Sequence, residues 1–203
     1  MGGFLLSTAV VAIAEIGDKT QLLAFVLAAR FRAPLPVVLG ILGATLANHA
    51  LAAVAGVTLA AWLQSSALTW ALGLSFLVMA LWTLKPDRLE EGEVPNQRRW
   101  GAFLTTLVAF FFVEMGDKTQ VATMALAAHF QDLLAVTAGS TLGMMVANVP
   151  AVLLGDRAAG RLPLRAIRSG AAGLFAVMGV AVLLQAAGVW GVESTGVATA
   201  LLP

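Results

Sequence analysis

No cysteine and no tyrosine occur in this 203-residue chain, histidine appears only twice, and no Asp, Glu, Lys or Arg lies between Ala33 and Leu84. The missing thiols exclude disulfides, iron–sulfur clusters and thiolate zinc sites, and two histidines do not furnish an imidazole-rich metal centre. Any metal bound here therefore meets mainly oxygen. Charge is scarce as well: 11% of residues are charged against a usual ~25%, and 60% are hydrophobic against a usual ~45–50%. A formal net charge of +1, from 12 basic and 11 acidic residues, leaves no basic face for phosphates and sets nucleic acid aside as a partner. The composition is that of an integral membrane protein, whose first partner is the lipid bilayer.

A bilayer core takes about 20 helical residues at ~1.5 Å each. Laid between the polar breaks, that length predicts an all-α membrane protein of six transmembrane helices, over residues 4–29, 35–61, 67–84, 101–128, 133–154 and 169–190. The uncharged stretch 33–84 is about twice one span, so it must turn, and Trp62-Leu63-Gln64-Ser65-Ser66 is its polar break. Met1-Gly2-Gly3-Phe4 brings no basic residue, and Glu15 and Asp18 interrupt the first apolar run, which argues against a cleaved signal peptide.

Ten of the 12 basic residues fall in the first, third and fifth connections: Arg30 and Arg32; Lys85, Arg88, Arg98 and Arg99; Arg157, Arg161, Arg165 and Arg168. The positive-inside rule places those connections in the cytoplasm and both termini on the other side. Trp62, Trp70, Trp82, Trp100 and Trp190 all stand at or near expected span ends, where indole rings prefer the headgroup region.

The chain also repeats itself. Residues 15–31 and 114–130 share ten identities in seventeen positions, and Gly43, Ala47 and Asn48 match Gly143, Ala147 and Asn148. Residues 1–84 form a first three-helix repeat and 100–203 a second, joined by a cytoplasmic linker at 85–99. Three crossings are an odd number, so the second repeat enters the membrane from the opposite side. Two inverted repeats supply two similar conformations, open to either face, which is transporter architecture.

Each repeat carries a charged motif at bilayer depth, Glu15-Ile16-Gly17-Asp18-Lys19-Thr20-Gln21 and Glu114-Met115-Gly116-Asp117-Lys118-Thr119-Gln120. Six ionisable groups there cost on the order of 15–20 kcal/mol before pairing relieves them, a burden that structure alone seldom retains. On continuous helices Glu15, Asp18 and Gln21 share one face, as do Glu114, Asp117 and Gln120, and these six are the expected metal ligands. Four carboxylates and two ammonium groups leave a net charge of −2, which one divalent cation or two protons neutralise. Oxygen donors suit manganese, calcium and magnesium and do not suit copper(I).

Lys19 and Lys118 stand four residues after Glu15 and Glu114, a spacing that favours intrahelical pairing and a supporting role. Thr20 and Thr119 could lend hydroxyl ligands or bond back to a helix carbonyl. Asn48 and Asn148 could face the metal or bond between helices, and Gly17 and Gly116 could break the helix or merely allow tight packing. Pro150 is expected to kink the fifth span, where its counterpart Ala50 does not. His49 and His129 have no histidine counterpart in the other repeat and read as polar or interfacial residues, while Gly139 and Gly143 read as a packing stripe.

With these residues in view, the duplicated Glu-x-Gly-Asp-Lys-Thr motif, one copy per three-span half, resembles the calcium:proton antiporter-2 family over essentially the whole chain. That family includes a Golgi protein needed for glycosylation and bacterial manganese exporters. The resemblance implies export of manganese or calcium against proton uptake, with no enzymatic activity and no cofactor beyond the transported ion. Glu15, Asp18, Glu114 and Asp117 match the motif acids, and Lys19, Thr20, Lys118 and Thr119 match its basic and hydroxyl positions. The compact chain looks like the bacterial members, which implies the inner membrane and manganese. One copy contains every motif residue, so a monomer suffices and a homo-oligomer stays open. Three other readings keep a footing in the same residues: an amino-acid exporter using the acid–base pairs for a zwitterion, a passive cation channel, and an intramembrane aspartyl protease. The last is diluted by a Glu and a Lys beside each Asp.

Overall fold

The computed structural model describes residues 1–63, 65–85, 101–154 and 164–189. Among these residues there are eight α-helices and no strand: α1 Gly2–Glu15, α2 Lys19–Phe31, α3 Pro34–Trp62, α4 Ser65–Leu84, α5 Gly101–Glu114, α6 Lys118–Phe130, α7 Leu133–Leu154 and α8 Leu164–Ala186. Helices α3, α4, α7 and α8 are long and apolar enough to cross a membrane. Their outward residues include Leu39, Leu46, Leu81, Trp62, Trp70 and Val177, a surface suited to lipid and not to water. Arg88, Arg98, Arg99, Arg157, Arg161, Trp100 and Trp190, with nearly all of the 85–99 linker, lie outside the described residues.

The expected first and fourth spans are not continuous helices. Each is two short helices separated by three residues, α1 and α2 around Ile16-Gly17-Asp18, and α5 and α6 around Met115-Gly116-Asp117. α1 and α5 have 14 residues each; at ~1.5 Å per residue they reach ~21 Å and cannot bridge a ~30 Å hydrocarbon core alone. Both broken units then end alike. Arg32 and Gln131 adopt left-handed backbone and return their N–H groups to Ala28 and Ala127 carbonyls at 2.9 Å.

Packing is reciprocal between the two halves: α1 lies along α7 while α5 lies along α3, α2 touches α7 while α6 touches α3, and α4 pairs with α8. Backbones meet closely at the two crossed seams because glycine stands there. A Cβ at Gly139 would fall 2.3 Å from the Phe4 carbonyl oxygen, and one at Gly40 would fall 2.7 Å from that of Phe103, the residue matching Phe4. Gly139, expected as part of a packing stripe, sits in such a seam.

One part of the packing is unequal. α4 covers α6, where Leu72 and Leu68 join Val121, Ala125 and Ala128 in a single apolar cluster, and α8 makes no comparable cover over α2. At the same end the Phe130 ring reaches within 3.2 Å of where a Gly3 Cβ would stand and 3.9 Å of a Gly2 Cβ. Gly101, the match of Gly2, has nothing within 4 Å.

Filling the α1–α7 seam should show its weight. Gly139→Val is expected to lower the thermal unfolding midpoint of the detergent-solubilised protein, with the ~1–3 kcal/mol cost of overpacking or more. Gly170→Ala, at a helical site with open space around it, should hold or raise the midpoint. Equal midpoints in the two variants would contradict the seam.

Candidate functional site

Both helix breaks follow from local chemistry. Gly17 and Gly116 hold φ of +82° and +78°, a left-handed conformation that costs glycine little and other residues more. The aspartate after each glycine is extended, at φ −83° for Asp18 and −77° for Asp117, and stands at the N-cap position of the helix that its neighbouring lysine begins; of the two, Asp117 also caps through its side chain, which accepts the Thr119 N–H at 3.5 Å. Three residues later a glutamine side chain turns back: Gly17 N–H donates to Gln21 Oε1 at 2.9 Å and Gly116 N–H to Gln120 Oε1 at 2.7 Å. The glutamine at Asp-x-x-Gln spacing thus supplies only the returning half of a capping box, bonded one residue before the N-cap. Gln21 and Gln120, expected among the ligands, commit those oxygens to holding the break, and Gln21 Nε2 also donates to the Ala147 carbonyl at 3.0 Å.

Breaking the helix cancels the intrahelical pairing expected of the lysines, since residues 15 and 19 no longer stand one turn apart on a single ladder. Each lysine instead pairs across the repeats. Lys118 Nζ contacts Asp18 Oδ1 with both side chains buried, and Lys19 Nζ lies 3.9 Å from Asp117 Oδ1. The same break removes the expected single face of Glu15, Asp18 and Gln21. What gathers the acids is the packing of α1 on α6 and α2 on α5.

Glu15 and Glu114 end α1 and α5 and are fully buried. Glu15 lies within electrostatic reach of Glu114, Asp117 and Lys118, and Glu114 within reach of Asp117, Asp18 and Lys19, so the acids of both halves share one field. As C-terminal residues they sit at helix ends whose carbonyls favour positive charge. Asn148 Nδ2 donates to Glu15 Oε1 at 3.3 Å, and Thr119 Oγ1 donates to Glu114 Oε2 at 3.2 Å and lies 3.4 Å from Asp117 Oδ2. The asparagines are not equivalent: Asn48 Nδ2 donates to the Phe111 carbonyl at 2.9 Å.

Buried oxygens without a hydrogen-bond partner include Glu15 Oε2, Glu114 Oε1, Asn48 Oδ1, Asn148 Oδ1 and Thr20 Oγ1. Carboxylate and amide oxygens are acceptors only, and leaving them unmatched in an interior is costly. Carboxylate, amide and hydroxyl oxygens are hard donors of the kind that divalent cations take. No three Asp, Glu or His side chains among the described residues form a metal-holding group on their own, so a cation held here would also need amide, hydroxyl or main-chain oxygens. His49, set aside in the sequence, is fully buried beside Asn48 with neither ring nitrogen partnered, and His129 stands edge-on to Phe130 at 4.9 Å. The sequence reading also passed over a band of buried hydroxyls, among them Ser7, Thr45, Thr106, Ser140 and Thr141. Their only signal was hydroxyl residues recurring within apolar helices.

Comparison with known proteins places this geometry in a family setting. The family model described as "Divalent cation/proton antiporter GDT1" matches twice, over residues 3–91 and 102–190. The chain is 51% identical over 177 residues to a Vibrio cholerae protein named "Putative manganese exporter", covering 87% of this chain and 88% of that one. It is 30% identical over 174 residues to a GDT1-like protein of Synechocystis, covering 75% and 82% respectively. No solved structure matches the chain significantly.

The crossed ion pairs make a stability prediction. Lys118→Met removes the ammonium facing the Asp18 carboxylate and Asp18→Asn removes the charge facing the Lys118 ammonium, and each single change should cost about 3–5 kcal/mol. The double variant should regain much of that loss, read as unfolding by a denaturing detergent. A double variant no more stable than the weaker single would show that the two groups do not depend on one another.

Proposed function

We propose that this chain, which belongs to the GDT1 family of divalent cation/proton antiporters, exports manganese by exchanging one divalent cation for two protons at Glu15 and Glu114. The observation that carries this reading is how the six charges divide. Asp18 with Lys118 and Asp117 with Lys19 form two neutral pairs across the repeats. The two glutamates remain, fully buried, each with one carboxylate oxygen unmatched. Their combined charge of −2 equals what one divalent cation or two protons supply. A neutral site changes its exposure across a low-dielectric core far more cheaply than a charged one, so metal departs as protons arrive. Asn148, Asn48 and Thr20 complete the cation's oxygen shell, with Thr119 orienting Glu114. The name of the Vibrio cholerae relative favours manganese over calcium as cargo.

In this reading each broken pair, α1–α2 and α5–α6, makes one crossing, so the protein crosses six times as two inverted repeats. Arg30, Arg32, Lys85, Arg165 and Arg168 mark the cytoplasmic face of a bacterial inner membrane, with both termini opposite. The unequal packing supports alternating access: α4 on α6 and Phe130 on Gly3 close one end, which this topology makes the outer end, and α8 leaves α2 less covered. In the opposite state Phe31 closes on Gly101 and Ala102 while Phe130 withdraws.

Two measurements test these statements. In proteoliposomes, Glu15→Gln and Glu114→Gln should each abolish manganese-driven proton movement in folded protein. Equilibrium manganese binding to the parent should weaken as pH falls, with close to two protons displaced per ion; a pH-independent affinity between about pH 5 and 8, where perturbed carboxylates titrate, would contradict the exchange. The absence of native cysteine also makes crosslinking clean. Gly3→Cys with Phe130→Cys, and Ala102→Cys with Phe31→Cys, should each crosslink and each arrest transport, with manganese shifting the two yields in opposite directions. Yields that rise or fall together would exclude alternation between these ends.

A further inference from the structure

Met144 is fully buried on α7, one helical turn before Asn148. Its Sδ lies 2.9 Å from Asn148 Nδ2, the amide nitrogen that also reaches Glu15 Oε1 at 3.3 Å, while Asn148 Oδ1 has no partner. A thioether therefore stands in the same buried polar shell as two of the oxygens that the exchange reading gives to the cation. The other repeat does not reproduce it. In the register that matches Gly43 with Gly143 and Asn48 with Asn148, the counterpart of Met144 is Ala44, also buried. Sulfur is thus supplied from one side only. Its burial against an amide that in turn reaches a carboxylate is not what an ordinary core methionine meets, since such a side chain fills apolar gaps.

We propose that the Met144 thioether is a specificity-determining donor at the cation site, disfavouring calcium and magnesium relative to manganese. The inference rests on the exchange reading above and adds the residue that chooses the ion. Calcium and magnesium are hard cations that take oxygen and gain almost nothing from a thioether. Manganese shares their taste for oxygen donors, but as a transition ion with accessible d orbitals it forms a more covalent bond to a thioether than calcium or magnesium can. In a site otherwise made of oxygens, one sulfur raises manganese selectivity without creating a trap. A purely soft site would hold zinc or copper and release neither. Met144 and Asn148 stand one turn apart on one face of α7, so both can address the same ion.

The test compares three ions of different softness on the full-length purified protein. Met144→Leu keeps side-chain volume, a substitution that cores tolerate well, and removes the sulfur alone. Equilibrium binding of cadmium, manganese and calcium is measured calorimetrically on parent and variant, with monodispersity and thermal midpoint checked in parallel. The expected result is a graded loss: cadmium falls most, manganese by about tenfold, the lower end of what ligand-shell changes cost in metal affinity, and calcium by less than twofold. Equal losses for all three ions would mean that Met144 only props Asn148, and would overturn the proposal while leaving the exchange site standing. Unaltered affinities would overturn it in the same way. A parent that binds none of the three ions would overturn the exchange reading, and this proposal with it. Should Met144→Leu fold poorly, replacing methionine by norleucine throughout the chain removes the sulfur with less disturbance, and the same graded order is expected.

Discussion

Lys118 meeting Asp18 in the interior, with Lys19 approaching Asp117 from the other motif, is the constraint to which the remaining architecture answers. An ion moved from water to a protein interior costs several kcal/mol even after relaxation, so buried Asp18, Asp117 and Lys118 are not tolerable alone. A single repeat has no remedy of its own. Asp18 and Lys19 are neighbours in sequence, and adjacent residues at a helix start point away from one another. The partner must come from the other half, and the halves have to interlock for it to arrive. That interlocking is what the crossed seams achieve, with α1 on α7 and α5 on α3 in close approach at Gly139 and Gly40, while α1 on α6 and α2 on α5 bring the motif-bearing helix ends together.

The crossed pairs also depend on the broken helices. Were α1 and α2 one helix, Lys19 would lie one turn from Glu15 and the two would neutralise each other locally. The sequence made that local pairing attractive because a ladder of 3.6 residues per turn was carried through Gly17. The duplication, the four long apolar helices, the buried motifs and the family were legible, since they rest on composition, span length and repeated identities. The break was only half legible. A glycine at bilayer depth admits either a left-handed turn or tight packing, and the deciding partner, Gln21 turning back to the Gly17 N–H, was read as a ligand. Asp-x-x-Gln after a glycine is the cue that separates the two cases, and it occurs in both repeats.

Less of the second shell was readable, for a different reason. Asn48 and Asn148 occupy matching positions, yet one serves the Phe111 carbonyl and the other reaches Glu15. Repeat alignment assigns equal roles to equal letters, and it does so before either half has packed. The difference arises from tertiary contacts that no single repeat contains: Met144 beside Asn148 has Ala44 as its counterpart, and α4 covers α6 where α8 leaves α2 less covered. Asymmetry between near-identical halves is therefore a property of the assembled state and not of the pattern that encodes it.

That asymmetry bears on how an exchanger works. If both ends of the molecule could pack as tightly as the Phe130 end at once, the cation would have no route; if neither could, the site would leak. Two similar sequences on opposite sides make the two closed ends close to equal in energy, so modest binding energy at the centre suffices to select between them. In the proposed exchange the glutamates would provide that selection without a net charge to drag across the core, provided that the aspartate–lysine pairs stay neutral whichever end is closed. In the proposed exchange the pairs fix the scaffold, and Glu15 and Glu114 carry the traffic. That division of labour among six charges would explain why each repeat carries both an acid paired with a lysine and one that is not.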